Sequence, residues 1–304
     1  MQNDCLLAKS KRDDEPWHES MALPVHLQDV YAAAIQVLDA TGDDQLQALG
    51  LPVEAHQERF RRIVLLAAAV HDLGKANDHF QGMIRRTRNV RIHPQGLRHE
   101  WVTVLMLSQL RDWLLPAVGR SAEDFAIVEW AVSGHHPAHN HPTPPSGPPA
   151  QGGSGPEITF LVNHTDFVGF LSWLKQTFRL LGDPPLIAPI KRNLVGSETA
   201  FGALRHWLRA GQPVWERLKK TADKRLVAAA KNTLIAADVA GSALPKAKPN
   251  EPDRWTWIAE SFAKKPDPDD LQTIVDHRLK GDTPRDFQRA VASSKHRVTF
   301  VKAG

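Results

Sequence analysis

The stretch Ile63-Val-Leu-Leu-Ala-Ala-Ala-Val-His71-Asp72-Leu-Gly74-Lys75 decides how the rest of the chain is read. Its apolar run, Ile63 to Val70, is too short to span a bilayer. It reads as the second half of a helix, Glu58 to Leu73, that stops at Gly74. An adjacent His-Asp pair at that end can aim both side chains at one point. A carboxylate has two oxygens and can bridge two metal ions, while the imidazole supplies a nitrogen to one of them. Lys75 follows at once, close enough to meet an anionic substrate. Alone, such a pair is more often a helix cap or a surface contact.

The company it keeps changes that reading. Val25, Val30, Ala33, Ala34 and Val37 recur at helical spacing across Pro24 to Ala40, with His26 early in that helix. Pro24 suits a first turn. His99 follows Arg98 and opens a helix to Leu115 that sets Val102, Leu105, Met106, Leu110 and Trp113 on one face. Ser121 caps a further helix reaching Ser133, and Gly134-His135-His136 comes directly after it. More helices are expected within Ile158 to Leu181, from Ser197 to Ala210, and from Val214 to Gly241, the last carrying Asp238 near its end. Strand signals are nearly absent before residue 295, so the expected fold is all-α. Gathering these helix ends brings five imidazoles and two carboxylates around one cavity. That set suits two metal ions with open positions and exceeds the needs of one.

Composition is compatible with this. The chain has 304 residues, 42% hydrophobic and 24% charged, as in ordinary globular proteins. Those figures exclude a disordered tail, a collagen-like repeat and a membrane bundle. A net charge of +4 permits a nucleic-acid partner. One cysteine, Cys5, excludes an intrachain disulfide and a cysteine-based zinc site, while fifteen histidines ask for a reason. The polar N-terminus does not read as a signal peptide. A cytoplasmic monomer with no membrane contact is expected, its first twenty or so residues a loose extension. Residues 136–156 hold seven prolines and four glycines and form an irregular loop. Pro245 to Pro268 reads as a linker with one short packed helix around Trp255, Trp257, Ile258 and Phe262.

His71-Asp-Leu-Gly-Lys75 with Asn77 and Phe80-Gln81, then Arg98-His99-Glu100, Gly134-His-His136 and Ala237-Asp238 with Gly241-Ser242, resembles the HD superfamily of metal-dependent phosphohydrolases. More narrowly, it resembles the HD nuclease domain of the CRISPR-associated helicase-nuclease of type I interference. The likeness covers roughly residues 20–245. It implies an all-α, HD-domain helical bundle with a short C-terminal extension containing the first helicase strand. The expected division is an extension over 1–20, the nuclease domain over 21–245, a linker over 246–282, and the start of a superfamily 2 helicase over 283–304. In the tail, Arg285-Asp-Phe-Gln288 stands where such helicases read adenine. The β-prone Arg297-Val-Thr-Phe-Val301 then runs into Ala303-Gly304 as a phosphate loop begins. The chain reads as cut there, a fragment or a split gene product, with ATP needed only by the absent motor.

Carried over residue by residue, the resemblance assigns one metal to His26, His71, Asp72 and Asp238. A second goes to Asp72, His99, His135 and His136, with Asp72 bridging. Two ions roughly 3.5–4 Å apart would hold a phosphodiester and lower the pKa of a water. Lys75 would neutralise charge on the reacting phosphate, and Ser242 would orient the phosphate or a ligand. Imidazole-rich ligation favours Mn²⁺, Fe²⁺, Ni²⁺ or Co²⁺, with Mg²⁺ weaker. Arg85, Arg86, Arg88, Arg91 and Arg98 form an acid-free segment that would draw a phosphate backbone to the rim. The tryptophans at helical spacing read as core, and His164-Thr-Asp166, a second His-Asp echo, as structural.

The implied function is a metal-dependent nuclease for single-stranded DNA, endo- and exonucleolytic, in type I CRISPR antiviral defence. The strand would be fed by the helicase after recruitment by an RNA-guided surveillance complex. A phosphohydrolase of small nucleotides and a non-catalytic recruitment module are the other readings. The helicase start argues against the first of these, and the intact ligand set against the second.

Overall fold

Helix α2, Val53–Val70, is the axis around which the fold is built. From Ile63 to Val70 every residue except Leu65 has no exposed surface, so this half of the helix is core on all sides. The computed structural model describes residues 5–10, 17–87, 97–136, 157–185, 187, 191–193, 200–249 and 251–263, with scattered positions beyond 268. It is a helical bundle, as expected. Helix α1 is Leu23–Ala48, α3 Asp78–Ile84, α4 His99–Leu114 and α5 Ala122–Ser133. After a short strand β1, Glu157–Thr159, come α6, Thr165–Thr177, and a strand β2, Lys191–Asn193. Helices α7, Ala200–Leu218, α8, Lys224–Ala247, and α9, Thr256–Ala263, complete the order.

The chain divides into two compact units, Met1–Ser261 and Phe262–Gly304. The first contains all the candidate ligands. In it α1 lies against α8 and α2, while α5 packs on α2, α8 and α4. Because α2 ends inside this bundle, its last turn delivers His71 and Asp72 to the centre of the protein. In the second unit the described positions include helical Asp269 and Thr273, whose hydroxyl donates to the Asp269 carbonyl. The β-prone run from Arg297 lies outside the described residues, as do 137–156.

Several sequence expectations are corrected by packing. Gly74 does not end α2 through a left-handed backbone. The helix stops at Val70, and Gly74 lies in a 3-10 turn, Leu73–Lys75. A Cβ there would sit 2.0 Å from the His99 carbonyl oxygen and 2.4 Å from the Thr103 nitrogen. The glycine is needed because α4 passes against the turn. Gly241 likewise does not end α8, which continues to Ala247. A Cβ at Gly241 would lie 2.7 Å from Val30 Cα, so the glycine sets how closely α1 and α8 approach.

The break expected between Ala210 and Val214 is absent, and α7 runs through Pro213 to Leu218. One backbone hydrogen bond is given up, but Trp207 and Trp215 of α7 pack edge-on against Trp101 and Trp130 on either side of the proline. Trp101, Trp113, Trp130 and Trp207 are all buried, as expected of core residues. The near-absence of strands has one exception: β1 and β2 pair antiparallel, Ile158 opposite Arg192.

The N-terminus departs most from expectation. Residues 5–10 are no loose extension. Leu6 and Ala8 are each 2% exposed. The Leu6 N–H donates to Asp166 Oδ2 (2.7 Å), and the Ala8 N–H to the Met21 carbonyl (2.8 Å). Among the described residues no helix is long and apolar enough to cross a membrane.

Candidate metal centre

The ligands arrive from five elements. Helix α1 brings His26 on its first turn, the end of α2 brings His71 and Asp72, and α4 opens with His99. The end of α5 brings His135 and His136, and α8 brings Asp238. All seven predicted ligands meet. Around Asp72, 1% exposed, they fall into two sets. Asp72 Oδ2 lies 3.1 Å from His26 Nε2 and 3.3 Å from His71 Nε2, and Asp238 Oδ1 lies 3.6 Å from both nitrogens. Asp72 Oδ1 faces the other way, 3.1 Å from His99 Nε2 and 3.6 Å from His135 Nε2. His136 Nε2 closes that side at 2.9 Å from His99 Nε2. The groups His26–His71–Asp72, His71–His135–Asp238 and His99–His135–His136 each present donor atoms within 4.8 Å of one another.

Local structure fixes which nitrogen faces inward. His71 Nδ1 pairs with the Ala68 carbonyl (2.9 Å) and His135 Nδ1 with the Val132 carbonyl (2.6 Å), each three residues back. Carbonyls only accept, so both Nδ1 atoms carry a proton and both Nε2 atoms point at the centre. His71 Nε2, His135 Nε2 and Asp72 Oδ1 are nonetheless buried without a hydrogen-bond partner. Buried polar atoms are rarely left so, and three aimed at one another fit a bound cation. Two carboxylates and five imidazoles, with no thiolate, are the donor chemistry of a borderline divalent metal.

The electrostatics agree. Burial would raise the Asp72 carboxyl, but Lys75, His71 and His99 hold it well below its usual range. Burial also opposes charge on His71, yet Asp72 and Asp238 prevail and push it up to about 10. That extra proton supplies the positive charge two facing carboxylates demand, and a divalent ion supplies it better. Burial takes His26 and His136 down to about 4, leaving their lone pairs free for a metal.

The other predicted residues fare differently. Lys75 Nζ is 2.5 Å from Asp72 Oδ2 and so belongs to the centre. Ser242 Oγ lies 3.4 Å from Asp238 Oδ1. Arg98 pairs with buried Glu100 at 2.6 Å, beside His99. Arg85 donates to the Cys5 carbonyl, and Arg86 adopts a left-handed backbone with φ 57°. Arg88 and Arg91 lie outside the described residues. His164 is a helix cap, accepting from the Asp166 N–H, as its structural reading requires.

One supporting residue, Thr103, escaped the sequence reading, and one that the motif contained, Gln81, has a role the reading did not assign. The Thr103 hydroxyl accepts from the Gly74 N–H (2.8 Å) and shares its hydrogen between the His71 and His99 carbonyls (3.0 Å each). It pins the His-Asp turn to α4. Its position one turn after His99 is the signal that could have found it. The Gln81 amide donates to the Leu7 and Lys75 carbonyls (2.9 and 3.0 Å) and accepts from the Leu7 N–H (3.0 Å).

A family model described as "Cas3, HD domain" matches residues 7–243. A protein of Myxococcus xanthus (strain DK1622), described as "Putative CRISPR-associated nuclease/helicase Cas3", is 36% identical along 98% of this chain. The chain spans 38% of that relative's length. No solved structure matches the chain.

Proposed function

The chain belongs to the Cas3 HD-domain family, and from that premise we propose that it is a metal-dependent nuclease that hydrolyses single-stranded DNA at a two-metal site. One observation carries the reading: the two oxygens of Asp72 face separate imidazole sets, His26 and His71 at one, His99 and His135 at the other. A carboxylate so divided could be shared by two ions. His26, His71, Asp72 and Asp238 would hold one ion, and Asp72, His99, His135 and His136 the second. Bound there, divalent ions supply Lewis acidity toward the phosphodiester and toward the water that attacks it.

The chain's own residues do the rest. Lys75 keeps Asp72 ionised, and its ammonium sits where charge accumulates on a phosphate brought to Asp72. Ser242 orients Asp238. Thr103 and Gly74 hold the turn so that His71 and Asp72 do not move relative to His99. Mn²⁺, Fe²⁺, Ni²⁺ or Co²⁺ would serve, Mg²⁺ less well. Of the arginines, Arg98 stands beside His99 and Arg85 against the N-terminal segment, and they would guide the strand from the rim.

The wider setting belongs to the same proposal. The division into nuclease domain, linker and helicase start, the cytoplasmic monomer, and recruitment by an RNA-guided surveillance complex in antiviral defence follow from the family premise. The test pairs the parent chain with Asp72→Ala, each incubated with Mn²⁺ and circular single-stranded DNA. Degradation by the parent alone, with about two transition-metal ions per chain, is the expected result. Equal activity in both preparations, or phosphate release from nucleotides without DNA cleavage, would overturn it.

A further inference from the structure

The N-terminal segment approaches the metal centre along α8, on the side of Asp238. Lys9 Nζ lies 3.5 Å from the Ser242 carbonyl oxygen. The Ser242 hydroxyl lies 3.4 Å from Asp238 Oδ1, which in turn is 3.6 Å from His26 Nε2 and His71 Nε2. Ser242 therefore stands between the Lys9 ammonium, at its carbonyl, and one pole of the centre, at its hydroxyl. The segment is held there by more than chance packing. Leu6 and Ala8 are buried to either side of Leu7. The Gln81 amide joins Leu7 to the carbonyl of Lys75, and Lys75 pairs with Asp72. One side chain thus locks the strand that carries Lys9 to the turn that carries the bridging carboxylate.

The charges around Lys9 call for an anion. An ammonium has three donors, and among the described residues Lys9 meets one acceptor, a neutral carbonyl at the limit of hydrogen-bond length. Burial, followed by the ammonium groups of Lys246 and Lys75, holds Lys9 below its ordinary range, while Asp238 and Asp29 pull the other way. Cations brought near one another in a half-buried place are stabilised by a negative group shared between them. On the nuclease reading Lys75 meets the reacting phosphate, so an anion at Lys9 would be a second one.

On the nuclease reading above, we infer that Lys9 is a substrate-positioning residue that binds a phosphate neighbouring the scissile one, making residues 6–9 a wall of the active site. Two anion positions fit the repeating phosphates of a nucleic-acid strand and exceed the one phosphate of a nucleoside monophosphate.

The experiment is steady-state cleavage of a single-stranded oligonucleotide by the full chain with Mn²⁺, comparing the parent with Lys9→Gln and Lys9→Arg across a salt series. Loss of one charge-assisted contact should raise KM about tenfold. It should also flatten the salt dependence of log(kcat/KM) by about 0.7. kcat should stay within about twofold of the parent, since the reacting atoms are untouched. Lys9→Arg should restore KM, and metal content and melting temperature should be the same in all three proteins. A KM and salt slope equal to the parent's in Lys9→Gln would overturn the inference while leaving the nuclease reading intact. Loss of bound metal in that variant would overturn it too, by making Lys9 a support of the ligands. A metal-loaded parent that cleaves no DNA would instead remove the nuclease reading, and this inference with it.

Discussion

His136 Nε2 lies 2.9 Å from His99 Nε2. Two imidazole nitrogens at that distance either share one proton or face a common cation. Burial lowers the pKa of both rings, His136 to about 4, so the pair shares only the N–H of a neutral ring, whereas a cation would take both lone pairs. A metal should therefore stabilise the fold. Protein stripped with chelator and returned to Mn²⁺ at a hundred times its Kd gains about 2.7 kcal/mol. For a domain of this size the melting temperature should rise by roughly 5–10 °C. A midpoint indifferent to Mn²⁺ would count against the whole centre.

The contact of Gly241 with Val30 predicts a coupled loss. Gly241→Ala puts a methyl 2.7 Å from Val30 Cα and must push α1 from α8. Overpacking of this kind costs about 1–3 kcal/mol. Because α1 carries His26 and α8 carries Asp238, the variant should also bind its first ion more weakly. Urea melts and metal titration check the two effects separately. Weaker folding with unchanged metal affinity would show that the helix spacing does not set the ligand spacing.

Glu129, 2% exposed, gives a pH signature away from the metal centre. Burial pushes its carboxyl from 4.5 up to about 7, against the pull of Arg111 and the Trp207 indole. Between those values the folded protein keeps a proton that the unfolded chain has released. Its contribution is thus complete below pH 4.5 and lost as pH rises to about 7. Glu129→Gln removes that dependence. The variant's stability relative to the parent should climb from pH 5 to pH 8, by up to roughly 3 kcal/mol. Parallel profiles in urea denaturation at the two pH values would refute this.

Gln81→Leu should detach the N-terminal segment without unfolding the bundle. The substitution removes the three hydrogen bonds to Leu7 and Lys75 and leaves their buried backbone groups unsatisfied. The expected cost is about 1–3 kcal/mol. Hydrogen exchange at Leu6 to Ala8 should quicken by at least tenfold, while exchange in α2 stays slow. Uniform acceleration through the whole unit would mean that the segment and the bundle open together.

The five ligand histidines and Asp72 were readable because each sits at or near a helix end, and a helical bundle has few ways to gather such ends. Asp238 lies inside α8, so the helix-end argument reaches it only through the mistaken stop at Gly241. The same chain misled wherever one residue served two purposes. Gly74, Gly241 and Pro213 are the usual punctuation of helices. Here Gly74 and Gly241 are present because a neighbouring backbone passes within contact of the missing Cβ, and Pro213 is carried by tryptophan packing on both sides of it. The docking of Leu6 to Ala8 had no sequence signal. Three consecutive apolar residues in polar surroundings show no period, and their partners Gln81 and Asp166 are far away along the chain. Strands of three residues, such as β1 and β2, are equally mute.

The docked N-terminus has a consequence for the order in which the molecule can be made. Leu6 is bonded to Asp166, 160 residues downstream. At about 5–20 residues per second of synthesis, that partner emerges roughly 8–30 s after Leu6 itself. His26 must wait longer still, for Asp238. Segments made early are thus among the last to find their places. A chain stalled on the ribosome before α8 would hold all five imidazoles and Asp72 but lack Asp238, so the centre would close only once α8 has emerged.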